Sequence, residues 1–143
     1  MIKVSVKFDE NIFSQIIKIW EITGVGNPAR GDNFANINKT LNHSGKMFSI
    51  YKDKVLIGSC WVTQDYRRCY LHHMAIHPDY QNMGYGKLLL RKALDYCQEL
   101  GLQAKLEVHK DNLAAQHLYK SFGFKLLDGY EVYIKRDINN NQY

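Results

Sequence analysis

Two glycines stand where this chain must begin a helix. Residues 78–90 read PDYQNMGYGKLLL, with Gly84 and Gly86 directly before the apolar run Leu88–Leu90. Glycine is about 1 kcal/mol poorer than alanine inside a helix, but at a helix start it lets the backbone turn and lets a ligand approach without a Cβ in the way. Helix N-termini bind phosphate through unpaired N–H groups. The segment therefore predicts either a phosphate cradle or a simple turn.

Hydrophobic spacing and turn residues predict the remaining elements. The apolar positions of the first helix recur with helical spacing, and the later apolar runs have the length and flanking turns of strands. The predicted elements, in order, are a strand over 2–8, a helix capped by Asp9 and ending near 23, a short helix capped by Asp32 and ending near 41, three antiparallel strands within 46–78, the helix after Gly84 that stops at Gly101, a strand over 104–109, a helix over 113–122 and two closing strands around Asp128–Gly129.

This order predicts a mixed α/β (α+β) fold. We expect one domain over residues 1–136, with a mostly antiparallel sheet of six to seven strands, a central parallel pair and about four flanking helices. Residues 137–143 are expected to form a polar C-terminal tail that frays.

Composition narrows the class of protein. The chain has 143 residues and a net charge of +5, but its basic residues are scattered, which argues against nucleic acid as a partner. No apolar stretch has the length of a signal peptide or a membrane span. Three cysteines without CxxC spacing favour reduced thiols and a cytoplasmic location. We expect no membrane partner, and a monomer or a homodimer.

Two motifs together resemble one enzyme family. QNMGYG at residues 81–86 is similar to the Q/R-x-x-G-x-G/A signature of the GCN5-related N-acetyltransferases, and NLAAQHLYKSFGF at residues 112–124 is similar to that family's N-x-x-A-x-x-L-Y-x-x-x-G-F segment. The Walker pattern GxxxxGK[ST] and the dinucleotide pattern GxGxxG are both missing from the sequence. The resemblance covers about residues 1–136, and the element order agrees with it.

The resemblance implies a site for acetyl-CoA as co-substrate. The pyrophosphate would rest on the loop after the central strand, and the pantetheine arm would pair with the edge of that strand, which requires an open edge. A splay between the strand ending at Ile76 and the strand around Lys105 would supply it. The cofactor-binding residues implied in this way are Met74, Ala75, Ile76, Gln81, Asn82, Met83, Gly84, Tyr85, Gly86, Lys87, Asn112 and Tyr119.

Two residues are the candidates for proton transfer. Tyr119 matches the family tyrosine that protonates the departing thiolate, and a phenol near its ordinary pKa of about 10 carries that proton at neutral pH. Glu107 lies in LEVHKDN, which resembles the L-E-V-x-x-x-N of ribosomal-protein N-terminal acetyltransferases, where this glutamate is proposed to deprotonate the amine. A packing role for Tyr119 and a salt bridge for Glu107 are the alternatives. Because Glu107 is expected within a central strand, an unpaired carboxylate there would be costly.

The histidines and cysteines predict no metal site. Cys69 and His73 would lie roughly 13 Å apart along a strand, and His72 and His73 are expected on opposite faces. His72 is instead a candidate for lining the acceptor pocket. Neither Cys60, on a predicted strand, nor Cys97, late in a helix, stands beside an obvious base or helix start that would activate it, so direct attack by the amine in a ternary complex is expected.

The acceptor is expected between the first two helices and the last two strands. The candidate substrate-binding residues are Trp20, Arg30, Asp32, His72 and Tyr130, for each of which a packing or surface role is equally compatible. The acceptor is expected to be a primary amine: a protein N-terminus, a lysine or a small amine. A module that binds acyl-CoA without turnover remains the alternative function.

Overall fold

The computed structural model describes residues 1–140 and contains four helices and five strands. The strands are β1 (Ile2–Ser5), β2 (Lys46–Lys52), β3 (Val55–Gln64), β4 (Arg68–Ile76) and β5 (Gln103–Leu106). The α-helices are α1 (Glu10–Thr23), α2 (Phe34–His43), α3 (Tyr85–Leu100) and α4 (Leu113–Ser121), and short 3₁₀ turns cover Pro28–Arg30 and Pro78–Tyr80. The described residues form two compact units, Met1–Glu107 and the segment from Val108 onward.

All five strands belong to the first unit and form one sheet in the order β1-β2-β3-β4-β5. The first three pairings are antiparallel, and β4 and β5 are parallel. The parallel pair that the sequence predicts is therefore present, but it lies at the edge of the described sheet rather than at its centre. The Asp53–Lys54 turn between β2 and β3 has positive φ at both residues, as a two-residue hairpin turn requires.

The sheet is covered on both faces within the first unit. On one face α1 packs against β3 and β4, and α2 packs against β2. The core there includes Ile16, Trp20 and Ile37, which are fully buried. On the other face α3 packs against β2 to β5 through Leu89, Leu90, Ala93 and Cys97.

Local capping explains where the helices begin and end. The carboxylate of Asp9 accepts the Ile12 N–H at 2.8 Å and caps α1, as expected. The cap of α2 is Asn33, whose side chain accepts the Asn36 N–H at 2.9 Å, so the expectation that Asp32 caps this helix is wrong. Gly101 ends α3 with φ 70°, a left-handed conformation that glycine adopts without steric cost.

The two closing strands are not formed in the described part of the second unit. Residues 125–140 have turns but no strand, so the sheet has five strands and not six to seven. Tyr130, Val132 and Ile134 have the alternation of a strand but are all exposed. A strand-like sequence alone does not make these residues form strands, because an isolated pair of strands is only marginally stable in water. Within the expected tail, residues 141–143 lie outside the described residues.

No helix within residues 1–140 is long and apolar enough to span a membrane.

A pair of buried serines tests how the first unit is held together. Ser49 and Ser59 are opposite each other on β2 and β3 and are both fully buried. Ser59 Oγ accepts the indole N–H of Trp20 at 3.0 Å, whereas Ser49 Oγ has no hydrogen-bond partner in the described residues. We expect Ser59→Ala to lower the free energy of unfolding by about 1–3 kcal/mol, because it leaves the indole N–H buried and unpaired.

Ser49→Ala is the matched control, since it removes a hydroxyl that bonds to nothing in that region. It should change the free energy of unfolding by less than about 0.5 kcal/mol, or raise it. Urea denaturation followed by Trp fluorescence measures both variants. Equal losses in the two variants would contradict the role given to the Trp20–Ser59 hydrogen bond.

Candidate active site

A β-bulge in β4 shapes the centre of the site. Ser59 pairs with Ala75 and Trp61 with His72, so that Cys60 of β3 is opposite two residues, His73 and Met74. His73 has φ 49°, which is rare for a residue with a side chain. The bulge brings both histidine rings against Trp61, with centroids at 4.7 Å for His72 and 5.9 Å for His73. The expectation that the two histidines lie on opposite faces is therefore wrong.

The strands β4 and β5 part next to this bulge. Their ladder ends at the pair Leu71 and Leu106, while β4 continues to Ile76. Within residues 1–140, the segment His72–Ile76 has no strand partner on this side. The splay that the sequence predicts is present, and it leaves a strand edge that can accept an extended, amide-bearing ligand.

The glycine loop lies directly after this edge. Gln81 Nε2 donates to the carbonyl of Ile76 at 2.8 Å and so ties the loop to the end of β4. Gly84 is the N-cap of α3 with φ 87° and supplies no side-chain cap. A Cβ added at Gly84 would meet nothing within 4 Å. The N-cap of α3 is therefore uncrowded, and the N–H groups of Tyr85, Gly86 and Lys87 that follow it are the unpaired donors that bind anions at a helix start.

A lysine that sequence reasoning missed stands beside the helix start. The Lys52 Nζ atom lies 5.7 Å from the ring centroid of Tyr85 and 5.9 Å from that of Tyr80. A side-chain hydrogen bond with Tyr85 raises the pKa of Lys52. Lys52 comes from the end of β2, far from the glycine loop in sequence, so only the fold shows that it adds positive charge there.

The loop between α1 and α2 reaches the bulge through Asp32. Asp32 Oδ1 lies 3.0 Å from His73 Nε2, and Asp32 Oδ2 accepts the Asn27 N–H at 2.6 Å. Each carboxylate oxygen of Asp32 thus has a partner within the first unit. Arg30 is exposed at the end of the neighbouring 3₁₀ turn. Trp20 is fully buried and packs edge-to-face against the His73 ring, with ring centroids 4.9 Å apart.

Glu107 is placed differently from the expectation. It follows the last residue of β5, which is an edge strand, and its side chain is exposed. The expectation that Glu107 lies within a central strand is therefore wrong, and the cost of burying a carboxylate gives no argument for its function. A hydrogen bond does link Glu107 to Tyr70, and burial together with this bond raises the pKa of the Tyr70 hydroxyl well above its usual value.

His72 lies between Tyr70 and Trp61 on the same face. Its ring stacks on Tyr70 at 4.4 Å, and its Nε2 lies 2.8 Å from Thr63 Oγ1. Burial, with a smaller contribution from His73, lowers the pKa of His72 to about 4. His72 is therefore neutral at physiological pH. An open cleft of about 310 Å³ adjoins it, lined among others by Thr63, Arg67, Arg68 and Lys105.

The second unit contains the motif with Asn112 and Tyr119. Asn112 caps α4 by accepting the Ala115 N–H at 3.1 Å, which leaves its amide NH₂ as the end that can donate to a ligand. Tyr119 is half-buried on α4 and contacts the ring of Phe124 at 5.7 Å. Tyr130 is exposed in the segment that follows.

Cys60 and Cys97 lack surroundings that would lower the pKa of a thiol. Cys60, Cys69 and Cys97 are free thiols and all are buried. Burial raises the pKa of Cys60 to about 12, and burial with the neighbouring Cys69 raises the pKa of Cys97 to about 12. Both thiols are protonated at neutral pH and are poor nucleophiles. In the described part of the chain, no group of three or more His, Cys, Asp or Glu could hold a metal ion.

Comparison with known proteins identifies the family to which this site belongs. Residues 14–124 match the model of the acetyltransferase (GNAT) family, and the chain is a member of that family. The resemblance seen in the two motifs is confirmed. The family uses acetyl-CoA as the acetyl donor.

Two curated relatives and one solved structure illustrate the similarity. A protein of Bacillus subtilis (strain 168) is 37% identical over 79 residues, which are 53% of this chain and 51% of that protein. The [ribosomal protein bS18]-alanine N-acetyltransferase of Escherichia coli (strain K12) is 32% identical over 96 residues, which are 66% of this chain and 57% of that enzyme. The chain thus spans little more than half the length of these relatives.

The solved structure shares the fold. An acetyltransferase from Streptococcus agalactiae 2603 superposes with a TM-score of 0.79 at 16% identity, covering 95% of this chain and 92% of that one. The mixed α/β architecture with four helices and a five-stranded sheet is therefore that of the family.

Sequence reasoning missed His73, Tyr70 and Thr63 as parts of this face. The alternation of a regular strand puts His73 on the opposite side, and the bulge that moves it has no signature in a single sequence. Tyr70 and Thr63 belong to strand positions that look like ordinary sheet surface. Only the pairing register reveals that they surround His72.

Proposed function

We propose that this chain is an acetyl-CoA-dependent N-acetyltransferase that moves the acetyl group to a primary amine by direct attack in a ternary complex. The observation that carries the proposal is the continuous path from the open edge of β4 to the glycine N-cap of α3. The free edge over His72–Ile76 suits the amide-bearing pantetheine arm. The start of α3, with Lys52 beside it, suits the pyrophosphate.

The reacting carbonyl belongs at the bulge end of the edge. A backbone N–H within Met74–Ile76 would stabilise the oxyanion that forms when the amine attacks. The departing CoA thiolate would take a proton from Tyr119, with Asn112 holding the cofactor arm through its amide NH₂. Glu107 or an ordered water is the acceptor of the amine proton that the family resemblance suggests. The protonated, buried thiols of Cys60 and Cys97 support direct attack over an acetyl-cysteine intermediate.

We propose that the amine acceptor binds on the face formed by the α1–α2 loop and the histidine-bearing end of β4. By its name, the Escherichia coli relative described above is an alanine N-acetyltransferase for ribosomal protein bS18. We propose a protein N-terminus as the first acceptor to try, with lysine and small amines as the next. The three free cysteines support a reducing, cytoplasmic setting.

Two substitutions at Gly84 that differ only in charge, Gly84→Asp and Gly84→Asn, test whether the start of α3 binds the phosphates of acetyl-CoA. Asn and Asp both tolerate left-handed backbone and have the same shape, and the position is uncrowded. We expect Gly84→Asp to raise the Kd for acetyl-CoA about 10-fold or more relative to Gly84→Asn, because a carboxylate at the start of α3 repels phosphate and competes for its N–H groups. Isothermal titration calorimetry measures both. Equal affinity of the two variants would place the cofactor elsewhere.

Turnover is tested by thiol release over a panel of amines that includes Ala-starting peptides, lysine peptides and small amines. We expect acceptor-dependent release of CoA by the wild-type protein. In Tyr119→Phe, kcat should fall about 100-fold or more with little change in the Kd for acetyl-CoA, because only the transferable proton is lost. Acetyl-CoA binding without release for any amine would show a binding module and not an enzyme.

A further inference from the structure

We propose that Asp32 and His73 form a catalytic dyad in which His73 takes the proton of the attacking amine. The inference rests on the proposed function and names a residue for a step that the family resemblance assigns to Glu107 or to water. It is carried by the contacts of the β4 bulge within the first unit.

The dyad fixes which nitrogen of His73 can act as a base. The carboxylate of Asp32 can only accept a hydrogen, and His73 Nε2 lies 3.0 Å from its Oδ1, so we infer that Nε2 carries the hydrogen of the neutral ring. The second oxygen of Asp32 is held by the Asn27 N–H at 2.6 Å, which fixes the orientation of the carboxylate. In the neutral ring, Nδ1 is then the nitrogen with a free lone pair.

The bulge places this ring at the proposed reaction centre. His73 immediately precedes Met74–Ile76, the backbone segment that borders the open edge of β4. Its backbone is in the left-handed region at φ 49°, a conformation that is strained for a residue with a side chain and that is found most often at functional sites. The ring is braced by Trp20 and Trp61, yet its side chain remains 26% exposed. Part of the His73 ring is therefore open to solvent.

The neighbouring candidates are less suited to the step. His72 is held close to Thr63 through its Nε2, and burial makes its ring a weak base. Glu107 is exposed and accepts the hydrogen bond of Tyr70. His73 alone of these three has a fixed carboxylate behind it in the described structure, and that carboxylate stabilises the imidazolium once it forms.

The step balances without a further reactant. The amine nitrogen forms a bond to the acetyl carbonyl carbon, and its proton passes to His73 Nδ1. The carbon–sulfur bond then breaks with its electron pair on sulfur, and the thiolate is protonated by Tyr119. The products are the acetylated amine and CoA. Solvent afterwards removes the proton from His73 and returns one to Tyr119.

The first test is rescue of His73→Gly by added imidazole. Glycine suits the left-handed backbone at this position and leaves space beside Trp61. With an amine that the wild-type protein accepts, we expect kcat to fall about 100-fold or more. Imidazole should restore at least 10-fold of that loss, and more basic methylimidazoles should restore more. The melting temperature and the Kd for acetyl-CoA should stay close to those of the wild-type protein. A purely structural role would not give a rate that follows the basicity of the added compound.

The second test changes the tautomer instead of the ring. In Asp32→Asn the amide oxygen serves the Asn27 N–H, so the amide NH₂ faces His73 and Nε2 must accept. The hydrogen moves to Nδ1 and the base is blocked, with an expected loss in kcat of about 100-fold or more. Imidazole ¹⁵N NMR should show Nε2–H for His73 in the wild-type protein and Nδ1–H in Asp32→Asn. His43→Gln, at the exposed end of α2, is the control for histidine replacement and should keep full activity.

The outcomes separate this inference from the function on which it rests. Absence of transfer by the wild-type protein to any amine would overturn both. Transfer by the wild-type protein combined with a fast His73→Gly, or with a slow one that imidazole does not rescue, would overturn the dyad and leave the acetyltransferase standing. An Nδ1–H tautomer in the wild-type protein would overturn the dyad whatever the activity.

Discussion

The parting of β4 from β5 is the feature on which the candidate site depends. The ladder between them stops at Leu71 and Leu106, so that the last residues of β4 keep backbone groups free for a ligand. The β3–β4 bulge lies at the same place and turns His73 toward Trp61 and the α1–α2 loop. The hydrogen bond from the Gln81 side chain to the Ile76 carbonyl then holds the glycine loop at the end of the open edge. One interruption of the sheet thus leaves the edge of β4 open between the His73 bulge and the glycine loop before α3.

The electrostatics of the site follow from what is buried behind it. Trp20, which is hydrogen-bonded to Ser59, and Trp61 form a buried apolar surface against the rings of the two histidines. Burial of the His72 ring lowers its pKa to about 4 and so keeps it neutral at physiological pH. The same burial keeps the thiols of Cys60 and Cys97 protonated, so that the site contains no competing sulfur nucleophile. The surroundings of His73 differ from those of His72 and the two thiols, because the Asp32 carboxylate lies next to its ring and part of the ring is exposed to solvent.

Much of the fold could be predicted from sequence because local chemistry decides it. Asp9 caps α1, Gly84 begins α3 and Gly101 ends it, and each of these follows from the properties of one residue type. The glycine loop and the parallel pairing of β4 and β5 also follow from the order of elements. One local expectation was wrong, because Asn33 and not Asp32 caps α2. The other wrong expectations concern register and pairing: the faces of His72 and His73, the strand position of Glu107 and the two closing strands. These depend on contacts between distant segments, and a single strand pattern carries no information about a bulge or about a missing partner.

Backbone NMR of the wild-type protein titrated with CoA tests the central claim most directly. The account predicts that CoA shifts the amide signals of Met74–Ile76 at the open edge and of Tyr85–Lys87 at the start of α3, and slows the hydrogen exchange of the β4 amides that gain a partner. Saturable binding that leaves both segments unchanged, with shifts concentrated instead around the separate cleft near Lys46 and Tyr96, would contradict it.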